Sequence, residues 1–505
     1  MRKTMMRAVA RRTLAAVGWL SVVAVGTSCN SFLAPQPTDT LTTTNFYHTA
    51  ADALAADNAI YGQLQYLYLY FFYSDVATDD IIATANFGSD GHQLADYTFD
   101  KTLWWFDNQW TNSYQTIARA NIVLQKVPAI QMDTGERTRI LGEARFLRAL
   151  CYFNLVRWFG DVPLTTLPIT TPQGAQLPRT PSAQVYTQII NDLDTAAIFL
   201  PVSYSGADAG RATQGAALAL LGKVYLTQGL WSQAATTLGQ VITSNTYSLN
   251  PRWKTSFSIE AEYTNPEDIF QINYASPTQA SGVVGSIVTL FGLPSGFPGG
   301  DAYGLMQVIP SYVNSFSATD SRGNHGTIML SPYTDSAGRV ATWTVPNGAA
   351  YDKYLDESNQ QNMYARAWEQ QGNGWVVLRY ADVLLMYAEA VNNGGTPIGA
   401  MTRDQALNAV RMRGDANATQ LLGLDAATFQ DSMRVERRKE FSLEGQRWFD
   451  LTRWNVLDST MRVKQAEIIT YYPTETTVHG VISSLFPIPL VEIQTDPKLT
   501  QNPGY

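Results

Sequence analysis

The chain has 505 residues, with 43 acidic against 35 basic side chains and a formal net charge of −8 at pH 7. That balance argues against a nucleic-acid partner held through phosphate contacts. Charged residues are only 15% of the chain and aromatic residues 11%, a surface chemistry better suited to uncharged, hydroxyl-rich ligands than to phosphates.

The first 28 residues read as a targeting segment. Arg2, Lys3, Arg7, Arg11 and Arg12 form a basic start, and Thr13–Thr27 is apolar, charge-free and too short to span a membrane comfortably. The segment ends in Gly-Thr-Ser-Cys, small residues ahead of a cysteine, which is the arrangement a lipoprotein signal peptidase needs. Cys29 is therefore expected to become the lipidated first residue. Several acyl chains on one cysteine would then serve as the only membrane anchor. The other of the two cysteines, Cys151, lies on an apolar stripe and reads as an inert buried thiol. Residues 29–44, rich in Thr, Pro and Ser, read as a tether.

Helical periodicity begins at Ala50–Gln65 and resumes at Trp110–Lys126. Gly142–Leu164 carries two apolar stripes. Ala144, Leu147, Cys151, Leu155 and Trp158 make one; Phe146, Ala149, Leu150, Phe153 and Val156 make the other. A helix apolar on two faces is wedged between neighbours. Gly160 and Pro163 then stop it. Farther on, Gly222, Tyr225, Gly229, Ala234 and Leu238 stand at the offsets of a tetratricopeptide repeat, in which small residues let two antiparallel helices approach closely. Tyr380–Arg411 reads as a second, looser pair. One or two such repeats bury too little to stand alone, so they are expected to pack on the rest of the chain. Between the helices, 66–105 and 276–374 read as long loop insertions bearing aromatics, presented by the helical scaffold.

Catalytic and metal chemistry finds little support. Glu440 and Glu444 are one helical turn apart, near the separation of a retaining glycosidase pair. Arg437, Arg438 and Arg447 lie beside them, however, and depress carboxyl pKa values where a general acid needs a raised one. The four histidines are scattered with no metal-ligand spacing. Asp75, Asp79 and Asp80 lack the glycine and terminal glutamate of an EF-hand loop, and read as a solvated or ligand-facing acidic loop. No metal, no cofactor and no enzymatic activity is expected. Sugar binding remains: flat aromatic rings stack on the C–H faces of sugars while carboxylates and amides hold the hydroxyl edges. Tyr97, Trp104, Trp105 and Tyr303, with Asp75 and Asp80, are the expected ligand contacts. Trp104 and Trp105 are placed just before a helix beginning near Trp110. Trp110 itself is assigned to the core.

Several segments, in order, carry a resemblance. GEARFLRALCYFNLVRWFGDVPL (142–164), PRTPSAQVYTQIINDLDTAAIFLP (178–201), GRATQGAALALLGKVYLTQGLW (210–231), TDSR (319–322), LRYADVLLMYAEA (378–390), RRKEFSLEGQRWFDLTRW (437–454) and FPIPLVEIQTDPKLTQNPGY (486–505) resemble the SusD/RagB family. The resemblance covers nearly all of the chain after the leader. It implies a mostly α fold: a SusD-like helical scaffold over 45–505, with tetratricopeptide-like helix pairs and long irregular ligand-binding loops. It also implies an outer-membrane lipoprotein that captures glycans at the cell exterior and passes them to a SusC-like TonB-dependent transporter. The RagB branch implies peptides as the alternative ligand. A lipid-anchored helical scaffold protein is a reading of a different class.

Overall fold

The computed structural model describes residues 46–258, 264–274, 292–293, 303–324, 326–334, 338, 340–343, 348–355, 373–471 and 482–505. The leader, most of the tether and Cys29 lie outside them. Thr49–Tyr505 forms one compact unit.

The long helices are α1 (Ala50–Leu69), α2 (Trp104–Lys126), α3 (Thr134–Phe159), α4 (Ser182–Phe199), α5 (Gln214–Thr227), α6 (Trp231–Thr243), α7 (Tyr380–Asn392), α8 (Arg403–Gly414), α9 (Ala426–Phe441) and α10 (Leu457–Tyr471). The mostly α architecture is the expected one. From α1 to α8 each helix packs on the next in sequence. The antiparallel pairing read at α5–α6 is therefore one step in a longer stack. At that step a β-carbon on Gly222 would lie 2.5 Å from Leu238 Cγ, so only glycine lets the two helices close. The packing of α6 on α7 joins segments separated by the whole mid-chain insertion, which leaves the stack after Thr243 and returns at Tyr380.

The wedge reading of α3 holds: both apolar stripes are buried, including Cys151, whose thiol is pushed up to about 12 by burial. Its last carbonyls are satisfied from far along the chain. Arg179 donates to Phe159 O at 3.0 Å, and Asn502 Nδ2 donates to the same oxygen at 3.0 Å. Arg179 also donates to Asn502 Oδ1 at 2.5 Å, so the C-terminal signature clamps the end of the central helix.

Two antiparallel strand pairs brace the stack. β1 (Ile81–Ala83) pairs with β3 (Met306–Val308), and β2 (Asp268–Ile272) with β8 (Trp375–Arg379). Between them, β4 (Ile328–Leu330) pairs with β7 (Ala349–Tyr351) and β5 (Tyr333–Thr334) with β6 (Val340–Ala341). These ribbons lie within the described part of the 276–374 insertion. The 66–105 stretch is likewise less loop-like than expected. Residues 66–69 extend α1, Trp104 and Trp105 begin α2, and Gly88–Asp96 forms a helix of its own.

The charged residues of the family-like motifs turn inward and pair. Arg148, in the 142–164 segment, holds Asp192 with two parallel bonds of 2.9 and 2.7 Å. Arg379 contacts Glu267, Glu440 and Glu444. Arg322, in TDSR, meets Asp320, Glu436 and Glu440. Lys223 and Arg437 share Asp382.

These pairs predict an acid-labile fold. Burial opposes charge on Glu440, but the guanidiniums of Arg413, Arg379 and Arg322 outweigh it and hold the carboxyl well below its usual range. Burial is likewise outweighed by paired cations at Asp79, Asp382 and Asp450. A depressed carboxyl contributes stability above its unfolded pKa of about 4 and loses it as pH falls through the folded value. At Asp57, Asp75 and Asp268 burial is the larger effect, helped by the neighbouring carboxylates Glu143, Asp80 and Glu267 respectively, and all three are raised, Asp268 to about 8. Their contribution has the opposite sign, and improves as pH falls from 8 toward 5. Melting temperature is therefore expected to rise slightly from pH 8 to 5 and to drop steeply below pH 4. A melting temperature at pH 3 equal to that at pH 7 contradicts this account.

Candidate functional site

The aromatic residues expected to hold ligand do not act together. Successive residues in a helix point about 100° apart. Trp104 and Trp105 open α2, so one faces out and the other in: Trp104 is 36% exposed and Trp105 0%. The expectation of a ligand contact at Trp105 is corrected by this placement. Its ring lies among Tyr73, Phe106, Trp158 and Phe486, and its indole N–H donates to Tyr70 O at 2.9 Å. That bond pins the start of α2 to the end of α1.

Tyr97 is also internal. It takes a left-handed φ of 55° as the residue that ends the Gly88–Asp96 helix, and its hydroxyl donates to Ala77 O at 2.6 Å. Asp75 and Asp80, expected to face sugar hydroxyls, are fully buried. Asp75 Oδ2 accepts from Gly445 N at 2.7 Å, and Asp80 Oδ1 accepts from Arg438 Nε at 2.7 Å. Asp79 takes two parallel bonds from Arg447. The supposed acidic loop is thus the inner half of an ion-pair network with the 437–454 segment. No group of metal-ligating side chains is found among the described residues.

Trp104 and Tyr303 remain at the surface, Tyr303 at 40% exposure. A run of contacts connects them. The Trp104 ring meets Tyr70 and Tyr73 edge-on, with centroids 5.0 and 5.4 Å away. Tyr73 meets Phe87 at 5.6 Å. The neighbouring Asn86 donates through Nδ2 to Tyr303 O at 3.3 Å, and Thr84 Oγ1 donates to Gly304 O at 2.6 Å. The β1–β3 ribbon thereby carries the Tyr303 segment against the loop that follows α1. Tyr66, one helical turn before Tyr70, is 52% exposed, and Asn86 and Ser89 are exposed polar neighbours. The surface holds flat rings beside amide and hydroxyl groups, anchored to the ends of two long helices. Tyr66 and Tyr70 lie beyond Gln65, where helical periodicity in the sequence ends, although the helix runs on to Leu69. Their i, i+4 spacing was the available signal.

The Glu440–Glu444 pair is sealed. Both side chains are buried, and Glu444 is held by Arg379 and Lys353. Glu440 is 0% exposed and Glu444 2%.

Two family profiles match, one described as the SusD family over residues 336–505, the other as starch-binding associating with outer membrane over residues 42–226. A SusD-like protein of Formosa agariphila is 27% identical over 95% of this chain and 97% of its own length. The chain belongs to the SusD family. Among solved structures, a laminarin-binding SusD-like protein superposes with a TM-score of 0.75 at 27% identity, covering 91% of this chain and all of that one. A SusD-superfamily protein of Parabacteroides distasonis gives 0.76 at 26% identity over 92% of this chain and all of its own. In this SusD-family protein the motif residues that carry the likeness are the ones buried in ion pairs, whereas the exposed aromatic surface is built from residues outside those motifs. No helix among the described residues is long and apolar enough to cross a membrane.

Proposed function

We propose that this SusD-family protein binds glycans on the aromatic surface of Tyr66, Tyr70, Trp104 and Tyr303, and performs no bond-breaking chemistry. The observation that carries the reading is the exposure of Trp104 and Tyr303 on a connected aromatic edge with amide groups beside it. Stacking on such rings needs no charge on the ligand. The laminarin binding named for a structural neighbour supports a polysaccharide ligand. Affinity electrophoresis against a polysaccharide panel tests the reading. The protein is expected to be retarded by at least one polysaccharide, and the retardation to weaken in Trp104→Ala. Retardation by none, together with binding to peptides, favours the peptide-binding alternative.

Lipid anchoring at Cys29, an outer-membrane location facing the exterior, and hand-over of the glycan to a SusC-like TonB-dependent transporter belong to the same proposal. The basic start, the apolar stretch and the small residues before Cys29 support the anchor. The profile description supports the membrane. Cys29→Ala is expected to move the protein from the membrane fraction to the soluble fraction. A variant that still sediments with membranes contradicts the anchor.

A further inference from the structure

A pocket of about 210 Å³ opens between α3, α4, α5 and the short helix Arg447–Arg453. Its lining shares no residue with the aromatic surface. Its wall contains Arg157, Lys223, Arg437 and Arg453. The last three are matched: Lys223 and Arg437 by Asp382, Arg437 and Arg453 by Asp450, and Arg453 also by Glu389. Arg157 has no carboxylate within 4.0 Å among the described residues, so four cations face three carboxylates. A surplus positive charge in a partly desolvated site is costly unless an anion joins it.

The guanidinium of Arg157 is held in one plane. It lies 3.6 Å from the centroid of the Phe449 ring and 3.9 Å from that of Phe153. Its Nε donates to Phe153 O at 3.1 Å and one terminal nitrogen donates to Asn154 Oδ1 at 2.6 Å. The other terminal nitrogen makes no hydrogen bond among the described residues. Burial lowers the Arg157 pKa to about 10, with nearby Tyr186 and Tyr68 opposing the shift, so the group stays charged at neutral pH. Tyr186, whose ring meets Phe153 edge-on, brings a hydroxyl to the same wall with no hydrogen-bond partner among the described residues. Ser484 stands exposed at the rim.

We infer that this pocket binds a small hydroxylated monocarboxylate of hexuronic-acid size, with the carboxylate on Arg157 and the hydroxyls on Tyr186 and Ser484. The surplus of one charge selects a monoanion over a phosphate dianion. A planar guanidinium edge matches the two oxygens of a carboxylate. The volume, several times the roughly 30 Å³ share of a water molecule, leaves room for a sugar ring behind the carboxylate.

Calorimetry on the full-length chain in detergent, with sodium glucuronate, glucose and inorganic phosphate as probes, tests the inference. Glucuronate is expected to bind at one saturable site, with glucose and phosphate at least tenfold weaker. Arg157→Met and Tyr186→Phe are each expected to weaken glucuronate at least tenfold, and Trp104→Ala to leave it unchanged. Should Arg157→Met fail to fold, Tyr186→Phe decides. No glucuronate binding, binding unaffected by Tyr186→Phe, tighter binding of phosphate, or loss of binding in Trp104→Ala each overturns the assignment. The last outcome would return the ligand to the aromatic surface and leave the glycan reading standing.

Discussion

Replacing Arg379 with alanine is expected to destabilise the fold by about 3–5 kcal/mol, the usual cost of leaving buried carboxylates without their cation. All the donors of this guanidinium are used. Nε and one terminal nitrogen bond both oxygens of Glu444 at 2.8 and 2.9 Å, the other terminal nitrogen bonds Glu267 and Glu440 at 2.8 and 2.6 Å, and the Glu440 carbonyl takes the last bond at 2.9 Å. Arg413 and Lys353 remain as partial partners and limit the loss. Arg379→Lys should recover only part of it, because one ammonium cannot span three carboxylates in the plane a guanidinium fills. Chemical denaturation of the three proteins measures the effect. A loss below about 1 kcal/mol in the alanine variant would mean the network contributes little beyond its packing.

Trp105→Ala is expected to cost a similar amount, about 3–5 kcal/mol, through the cavity left by a fully buried ring. The ring fills space between α2, α3 and the C-terminal segment around Phe486, and its indole N–H holds the end of α1. Trp104→Ala, one residue earlier, is expected to change stability by less than about 1 kcal/mol, as surface substitutions do. Thermal and chemical denaturation of the pair measures the contrast. Equal stability in the two variants would contradict the inward and outward placement of these neighbours.

The same two residues show where sequence reading stopped. The sequence reading starts α2 near Trp110, whereas the helix begins at Trp104. Leu103 occupies the cap position, and its side chain makes no capping bond. The buried face of α2 also runs through Gln109, Ser113 and Thr116, polar residues that break the apolar period. By contrast α3 was legible, since both of its stripes are apolar and Gly160 marks its end with a φ of 72°. Asp75 and Asp80 were misplaced for a different reason. Their partners Gly445 and Arg438 are 370 and 358 residues away, and no local pattern announces a pairing of that range. A loop aspartate that meets water and one that meets a buried arginine look alike until the chain is folded. For the charged motifs the reading succeeded in part: Glu440 and Glu444 are paired with cations, but these are Arg322, Lys353, Arg379 and Arg413 from other segments, while the neighbouring Arg437, Arg438 and Arg447 pair with Asp382, Asp450, Asp79 and Asp80 instead.

The aromatic surface is the centre of the functional account. The most direct measurement is a titration of the polysaccharide that retards the wild type into wild type, Trp104→Ala and the Trp104→Ala, Tyr303→Ala double variant, with thermal melts of each. Stacking on one ring contributes on the order of 1–3 kcal/mol by analogy with base–aromatic stacking. The account predicts affinity roughly 5- to 150-fold weaker in the single variant, weaker still in the double variant, and unchanged melting temperatures. Wild-type affinity in the double variant, with intact folding, would contradict it.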